Sequence, residues 1–461
     1  MYRSVLLGAV ASLALTIGAA QAQTMEEALA QTYKTNPQLS ADRARQRATD
    51  EGVPRALSNW RPTVTVSGSA GKGTDRLRQE NSVGTTVATD ARRTPEVAAL
   101  TVTQPLYRGG RTLAETSRAE NTVLQGRAQL QSTEQAVLLD AATAYTNLLQ
   151  DQAVLDLNIN NEQVLQRQLD AARDRFQVGE ITRTDVSQAE ARLSRARADR
   201  IQAEGNLTSS RANYLRIVGE PPARLSPARV PAVIPANENE ALGAAATDNP
   251  AVVSSRYAER AARDDVDLVA GELLPTVSLQ GTLSRQHETQ TSGFERDVAE
   301  ASVVLSVPLY QAGSVDARVR EAKQTASQRR ILVDDTVRRA KEDATRTWEA
   351  LTTARARIQA FQAQIRANEI ALEGVEQEAR VGSRTVLDVL DAEQELLDAK
   401  VNLVRAQHDE IVSAYQLAAA VGRLTAQNLK LPVEVYDPTA YYSKTRERWI
   451  GTSTDEPPAG R

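Results

Sequence analysis

The segment at residues 176–186 (Phe-Gln-Val-Gly-Glu-Ile-Thr-Arg-Thr-Asp-Val) recurs in register at 379–389 (Ala-Arg-Val-Gly-Ser-Arg-Thr-Val-Leu-Asp-Val), 203 residues further on. Repetition on this scale sets an architecture before any residue is given a chemical role. It extends well beyond the eleven residues. Asn36-Pro37 returns as Asn249-Pro250 and Pro62-Thr63-Val64 as Pro275-Thr276-Val277, both 213 residues on, whereas Pro105-Leu106-Tyr107 returns as Pro308-Leu309-Tyr310 at 203. The chain is two copies of one unit, and the first copy carries ten extra residues between its two prolines.

Each copy, 23–219 and 249–431, predicts the same order: helix, two strands, long helix, turn, helix. Asn-Pro opens helices at about 37–59 and 250–271, with Asn as cap and Pro at the first helical position. At Pro62 and Pro275 the pattern changes to a period of two. Val64 and Val66 alternate with Thr63 and Thr65, and Val277, Leu279 and Leu283 with Ser278, Gln280 and Ser284. Return strands follow, in which Leu100 and Val102 interleave with Thr101 and Thr103, and Val303 and Leu305 with Ser302 and Ser306. The polar, Gly-containing stretches between them, 71–93 and 286–296, predict loops, and the ten extra residues are assigned to the first because loop length is cheap.

The hairpins at about 62–107 and 275–310 therefore have strands of about ten residues, the length of a tilted strand crossing a bilayer. Four strands leave two bare edges, and lipid offers no water to satisfy them, so a membrane barrel needs several copies of the chain. The alternative is a soluble four-stranded sheet packed on helices. Its strand residues are small and weakly apolar for that role.

After the strands, helix runs without proline over about 111–176 and 314–380. Leu130, Val137, Ala141, Ala144, Leu148 and Leu155, then Leu165, Leu169, Ala172 and Phe176, follow alternating three- and four-residue steps. At 1.5 Å per residue such a helix is roughly 100 Å long. A narrow, Ala-rich seam suits a ring of helices better than a solid bundle. The Pro-rich stretch 220–248 reads as a surface connector between the copies. Residues 432–461 form a C-terminal extension, of which 455–461 read as a disordered tail.

Arg3 precedes an apolar run that ends in Ala20-Gln21-Ala22, so residues 1–22 read as a secretory signal peptide and Gln23 as the mature start. The alternative, a membrane anchor, is opposed by the shortness of the run. No later stretch reaches the ~20 apolar residues of a spanning helix. The 461 residues include no cysteine, which leaves no lipid anchor, disulfide or thiolate metal site, and the two histidines make no His-based metal centre. A net charge of −4 without a basic cluster argues against nucleic acid. His287 is expected in a loop and His408 on a helix, both solvated. The expectation is an exported protein that is no enzyme, binds no cofactor, and enters a membrane, if at all, through strands.

Gly179 and Gly382 end long helices as C-cap glycines, and Thr182-x-x-Asp185 and Thr385-x-x-Asp388 read as capping boxes that start the next ones. Helix initiation alone accounts for Asp185 and Asp388. Asp391 has Gln188 as its counterpart and Arg384 has Ile181, so neither belongs to the repeated cap. Asp391 lies one turn beyond Asp388 on the same helix face.

The duplicated order, the paired Pro-Leu-Tyr exits and above all the segment at 381–391, Val-Gly-Ser-Arg-Thr-Val-Leu-Asp-Val-Leu-Asp, resemble the TolC family of outer-membrane efflux and type I secretion ducts, over about residues 23–440. The resemblance implies a mainly α fold with a small β part. It implies a homotrimer whose strands make a 12-stranded barrel in outer-membrane lipid, continued by a long periplasmic barrel of helices. Its implied partners are a periplasmic adaptor and an inner-membrane transporter, ABC-type or proton-driven. Asp388 and Asp391 would ring the periplasmic gate, select for cations and bind them. Arg384, Thr184 and Asp185 would form the links that hold it shut, although the Tyr often found at Ala379 is missing. Val178, Gly179, Val381 and Gly382 would meet the adaptor. The competing class is a periplasmic coiled-coil adaptor or scaffold without a pore.

Overall fold

A computed structural model of the chain describes residues 22–80 and 83–454. The expected signal peptide, apart from Ala22, and the expected tail at 455–461 lie outside the described residues. Helix dominates. In order come α1 (Met25–Thr35), α2 (Pro37–Asp50), α3 (Gly52–Leu57), β1 (Thr63–Ala70), β2 (Gly73–Glu80), β3 (Thr86–Arg93), β4 (Glu96–Arg108), α4 (Arg111–Gln177) and α5 (Arg183–Val218). They are followed by α6 (Glu238–Thr247), α7 (Pro250–Ala270), β5 (Thr276–His287), β6 (Glu295–Ser306), α8 (Ser314–Arg380), α9 (Val386–Ala420) and α10 (Pro438–Thr445). No helix among the described residues is long and apolar enough to cross a membrane.

The described residues form two compact units, one within 22–37, 134–238 and 345–435, the other within 38–80, 83–133, 239–344 and 436–454. The first is helical. Of the ten seam positions predicted on α4, nine are buried and Phe176 is 44% exposed, because it is the last turn of its helix. Near that end Leu165, Leu169 and Ala172 pack with Ala189, Leu193 and Ala196 of α5 and Leu390 of α9. Each buried Leu contributes about 1.5–3 kcal/mol. In the same unit the Tyr145 hydroxyl lies 2.8 Å from the Gln23 carbonyl and 2.6 Å from that of Ser226, and the Tyr214 hydroxyl donates to Gln23 Oε1 at 3.0 Å. The start of the expected mature chain is thus fastened beside the connector.

The second unit holds an antiparallel sheet in the order β1-β4-β5-β6. Direct pairings such as Val66↔Leu100, Leu100↔Leu283 and Leu279↔Val303 put the apolar residues of all four strands on one face. Pairings such as Thr65↔Thr101, Thr101↔Thr282 and Gln280↔Ser302 put hydroxyls and amides on the other. Pro105 cannot donate to the ladder, and the register slips between Pro105 and Tyr107. The chain then turns through Gly109 (φ +64°), where an added Cβ would stand 2.2 Å from the Gly271 carbonyl oxygen. Only glycine fits there.

The structure corrects three expectations and adds a packed segment, residues 436–454, on which none was made. Residues 71–93 are not a loop: β2 and β3 pair from Gly73↔Arg93 to Glu80↔Thr86, so the extra residues build a second hairpin. The helix expected over 37–59 breaks at Glu51 and resumes as α3, since Pro54 has no N–H to return to the Asp50 carbonyl. The later part of the connector folds as α6, which buries Ala241, Ala244 and Ala245. Residues 436–454 pack back on their unit: the Tyr441 hydroxyl donates to Glu51, Arg446 pairs with Glu120, and the Arg61 guanidinium lies 4.8 Å from the Trp449 ring centre.

Candidate functional site

The two turns named by the repeat fold alike. Beyond α4, Glu180 N–H donates to the Arg175 carbonyl (2.9 Å) and Gly179 N–H to that of Phe176 (3.0 Å). Beyond α8, Ser383 N–H donates to Glu378 (2.9 Å) and Gly382 N–H to Ala379 (3.2 Å). This is the Schellman closure, with Gly179 at φ +78° and Gly382 at +81°. Nothing stands within 4 Å of where either Cβ would be, so backbone conformation alone demands glycine.

The next helices begin three residues later. Thr182 N–H and hydroxyl donate to Asp185 Oδ2 at 2.8 and 2.7 Å, and Asp185 N–H returns to Thr182 Oγ1 at 3.3 Å. Thr385 and Asp388 repeat the box at 2.9, 2.8 and 3.3 Å. Bonds to the ionised form hold both carboxyls below the usual carboxylate range. For Asp185 the Thr182 hydroxyl leads, and for Asp388 the Thr385 N–H leads, with a smaller pull from Arg384.

Past the boxes the turns differ. Arg384 Nε donates to Glu378 Oε2 at 2.9 Å, a link inside its own turn, and within the chain it meets neither Thr184 nor Asp185. Thr184 is exposed, and Val178 and Val381 are 72% and 80% exposed. Ala379 is buried. Asp391 is engaged: Arg192 Nη2 of α5 lies 2.5 Å from its Oδ1. Sequence reading missed Arg192, because a partner 199 residues away on another helix leaves no local signal. Asp388 and Asp391 thus open α9 one turn apart, the first serving the cap and the second tied to α5.

The sheet supplies the second candidate surface. On its apolar face Val64, Val66, Leu283, Val303 and Leu305 are between 55% and 79% exposed, and β1 and β6 each pair on one side only. Each histidine matches expectation in part, His287 by its exposed side chain and His408 by its place on α9. His287 is the last residue of β5 and its Nδ1 lies 3.4 Å from Glu295. His408 is largely buried, with Nε2 2.6 Å from Asn147 Oδ1 and Nδ1 3.2 Å from Asp409 Oδ1.

A family model described as outer membrane efflux protein matches residues 28–220 and 241–423. The outer membrane efflux protein BepC of Brucella suis biovar 1 is 34% identical over 443 residues, which cover 96% of this chain and 94% of that protein. The chain belongs to the outer membrane efflux protein family. The outer membrane protein TolC of Vibrio cholerae is 28% identical, with 91% of this chain and 95% of that protein covered. Among solved structures, the CmeC outer membrane channel of Campylobacter jejuni superimposes with a TM-score of 0.76 over 92% of this chain and 89% of its own, at 15% identity, a likeness of fold. The outer membrane efflux protein family is one of transport proteins, not enzymes.

Proposed function

We propose that this chain is the exit duct of a tripartite export system, carrying small molecules or secreted proteins from an inner-membrane transporter across the periplasm and outer membrane. Three copies would close β1, β4, β5 and β6 into a 12-stranded barrel, and α4, α5, α8 and α9 would line the periplasmic helical barrel. The turns, with Val178, Gly179, Val381 and Gly382 outermost, would receive a periplasmic adaptor, and the transporter would be ABC-type or proton-driven. Asp388 and Asp391 would form the acidic constriction, a ring of carboxylates favouring and binding cations. Arg384 is held by Glu378 within the chain. A closing link from it to Thr184 and Asp185 would therefore have to form between copies.

One observation carries this reading: a sheet with an exposed apolar face, a polar opposite face and two unpaired edges. Water does not tolerate the first, and lipid does not tolerate the last unless the edges are closed on other copies. A pore-free adaptor has no use for such a sheet.

The test is single-channel current of the full chain in planar bilayers. Asp388→Ala with Asp391→Ala is expected to raise the half-blocking concentration of a trivalent cation by about tenfold, equivalent to about 1.4 kcal/mol. Unchanged block would remove the acidic ring. A urea-soluble periplasmic protein on fractionation would remove the duct altogether.

A further inference from the structure

The helices of the first unit are stapled as two hairpins. Within α4/α5, Arg173 pairs with Glu190, and Arg197 and Arg200 with Glu162. Within α8/α9, Lys400 pairs with Glu369, Arg355 with Glu410 and Arg357 with Asp409. Between α5 and α9 the described residues contain one ion pair, Arg192–Asp391. It sits on the rim of the core near the turns, since an adjacent residue on each helix, Leu193 after Arg192 and Leu390 before Asp391, is buried in the same cluster. Arg192 is the more covered partner at 29% exposure, against 53% for Asp391. Asp388, by contrast, has one carboxylate oxygen committed to the Thr385 cap, a bond inside its own helix start that can persist while α5 and α9 move apart.

We infer that Arg192 is the latch and mask of the proposed gate: it ties α5 to α9 and neutralises Asp391, so that separating the two hairpins unlatches the tip and uncovers the second acid of the constriction in one step. The inference rests on the duct reading for its effect on current, though the latch itself does not. Asp391 then has two competing counter-ions, Arg192 when the hairpins are together and a cation when they part. Cation affinity and gate position are coupled through one carboxylate, because whatever binds one state better shifts the population towards it.

Three variants of the full chain test this in planar bilayers: Arg192→Gln, Asp391→Asn and the double variant. Arg192→Gln is expected to raise basal conductance and lower the half-blocking concentration of La3+ by about fivefold, the upper range for an exposed ion pair. In the Asp391→Asn background the same substitution is expected to change neither quantity. Block equal to wild type in Arg192→Gln, or an undiminished shift in the double variant, would overturn the inference. Arg192→Lys, which keeps the charge, is expected to behave as wild type, and a shift there as large as that of Arg192→Gln would also overturn it. If wild type formed no channel the duct reading would fall. The latch would then be read by hydrogen exchange over the first two turns of α9, where equal acceleration in Arg192→Gln and Asp391→Asn supports it and unchanged exchange overturns it.

Discussion

The turn joining α4 to α5 and the turn joining α8 to α9 have the same backbone, bond for bond, and different neighbours one helical turn later. Both close on a glycine at positive φ, and both restart at a Thr whose box partner is an Asp. In the first, position 188 is Gln. In the second, the matching position is Asp391 and reaches across to α5. What the copies share is what any chain needs to reverse two long helices. What only one copy has is what the proposed gate would use.

The comparison can be broken at its shared part. Gly179→Ala and Gly382→Ala are each expected to destabilise their turn by about 1–2 kcal/mol, the cost of placing a Cβ on left-handed backbone. Hydrogen exchange over 176–186 and 379–389 should show matching losses, and a loss in one turn only would mean the two are not equivalent. Thr182→Ala and Thr385→Ala remove the cap acceptor and should cost about 1 kcal/mol each, read the same way. Acid offers a gentler test. The folded-state carboxyls of Asp185 and Asp388 are lowered, so their stabilisation is full above the ordinary value of 3.8 and is lost as pH falls through the folded value. Exchange in both turns should be insensitive to protonation from pH 7 to 5, once corrected for intrinsic rates, and rise together only below about pH 4. Smallest of all should be Glu378→Gln: its pair with Arg384 is half exposed on both sides and screened by solvent, so exchange over 379–389 should barely change.

The turns were legible because capping chemistry is local, with every bond of the boxes spanning three residues. The sheet was legible because its two faces alternate in composition. The second hairpin was not: Asp75, Arg76, Arg78, Asp90, Arg92 and Arg93 look like a solvated loop, and what makes them strands is a backbone ladder between 73–80 and 86–93, flanked by exposed pairs such as Arg76–Asp90, 2.9 Å apart. The ordered part of the C-terminal extension was hidden for a similar reason. Its contacts are scattered single pairs, such as Arg43 with the Tyr436 ring, Arg127 with the Tyr442 ring and Tyr441 with Glu51, without periodicity. Asp391 could be flagged from sequence as surplus to the cap, but its partner could not, because α5 carries seven arginines and nothing local singles one out.

The open edges of β1 and β6 also bear on the life of the chain before it functions. Until those edges are matched, every newly exported copy carries two templates for pairing with the wrong strand, and β6 adds the run Val303-Val304-Leu305. In the proposed assembly the hazardous interval is transit, and its length would depend on how fast copies meet, so that crowding the periplasm with chains faster than they find partners would turn a correct sequence into an aggregating one. On that proposal supply rate, rather than fold stability, would set the yield of this protein.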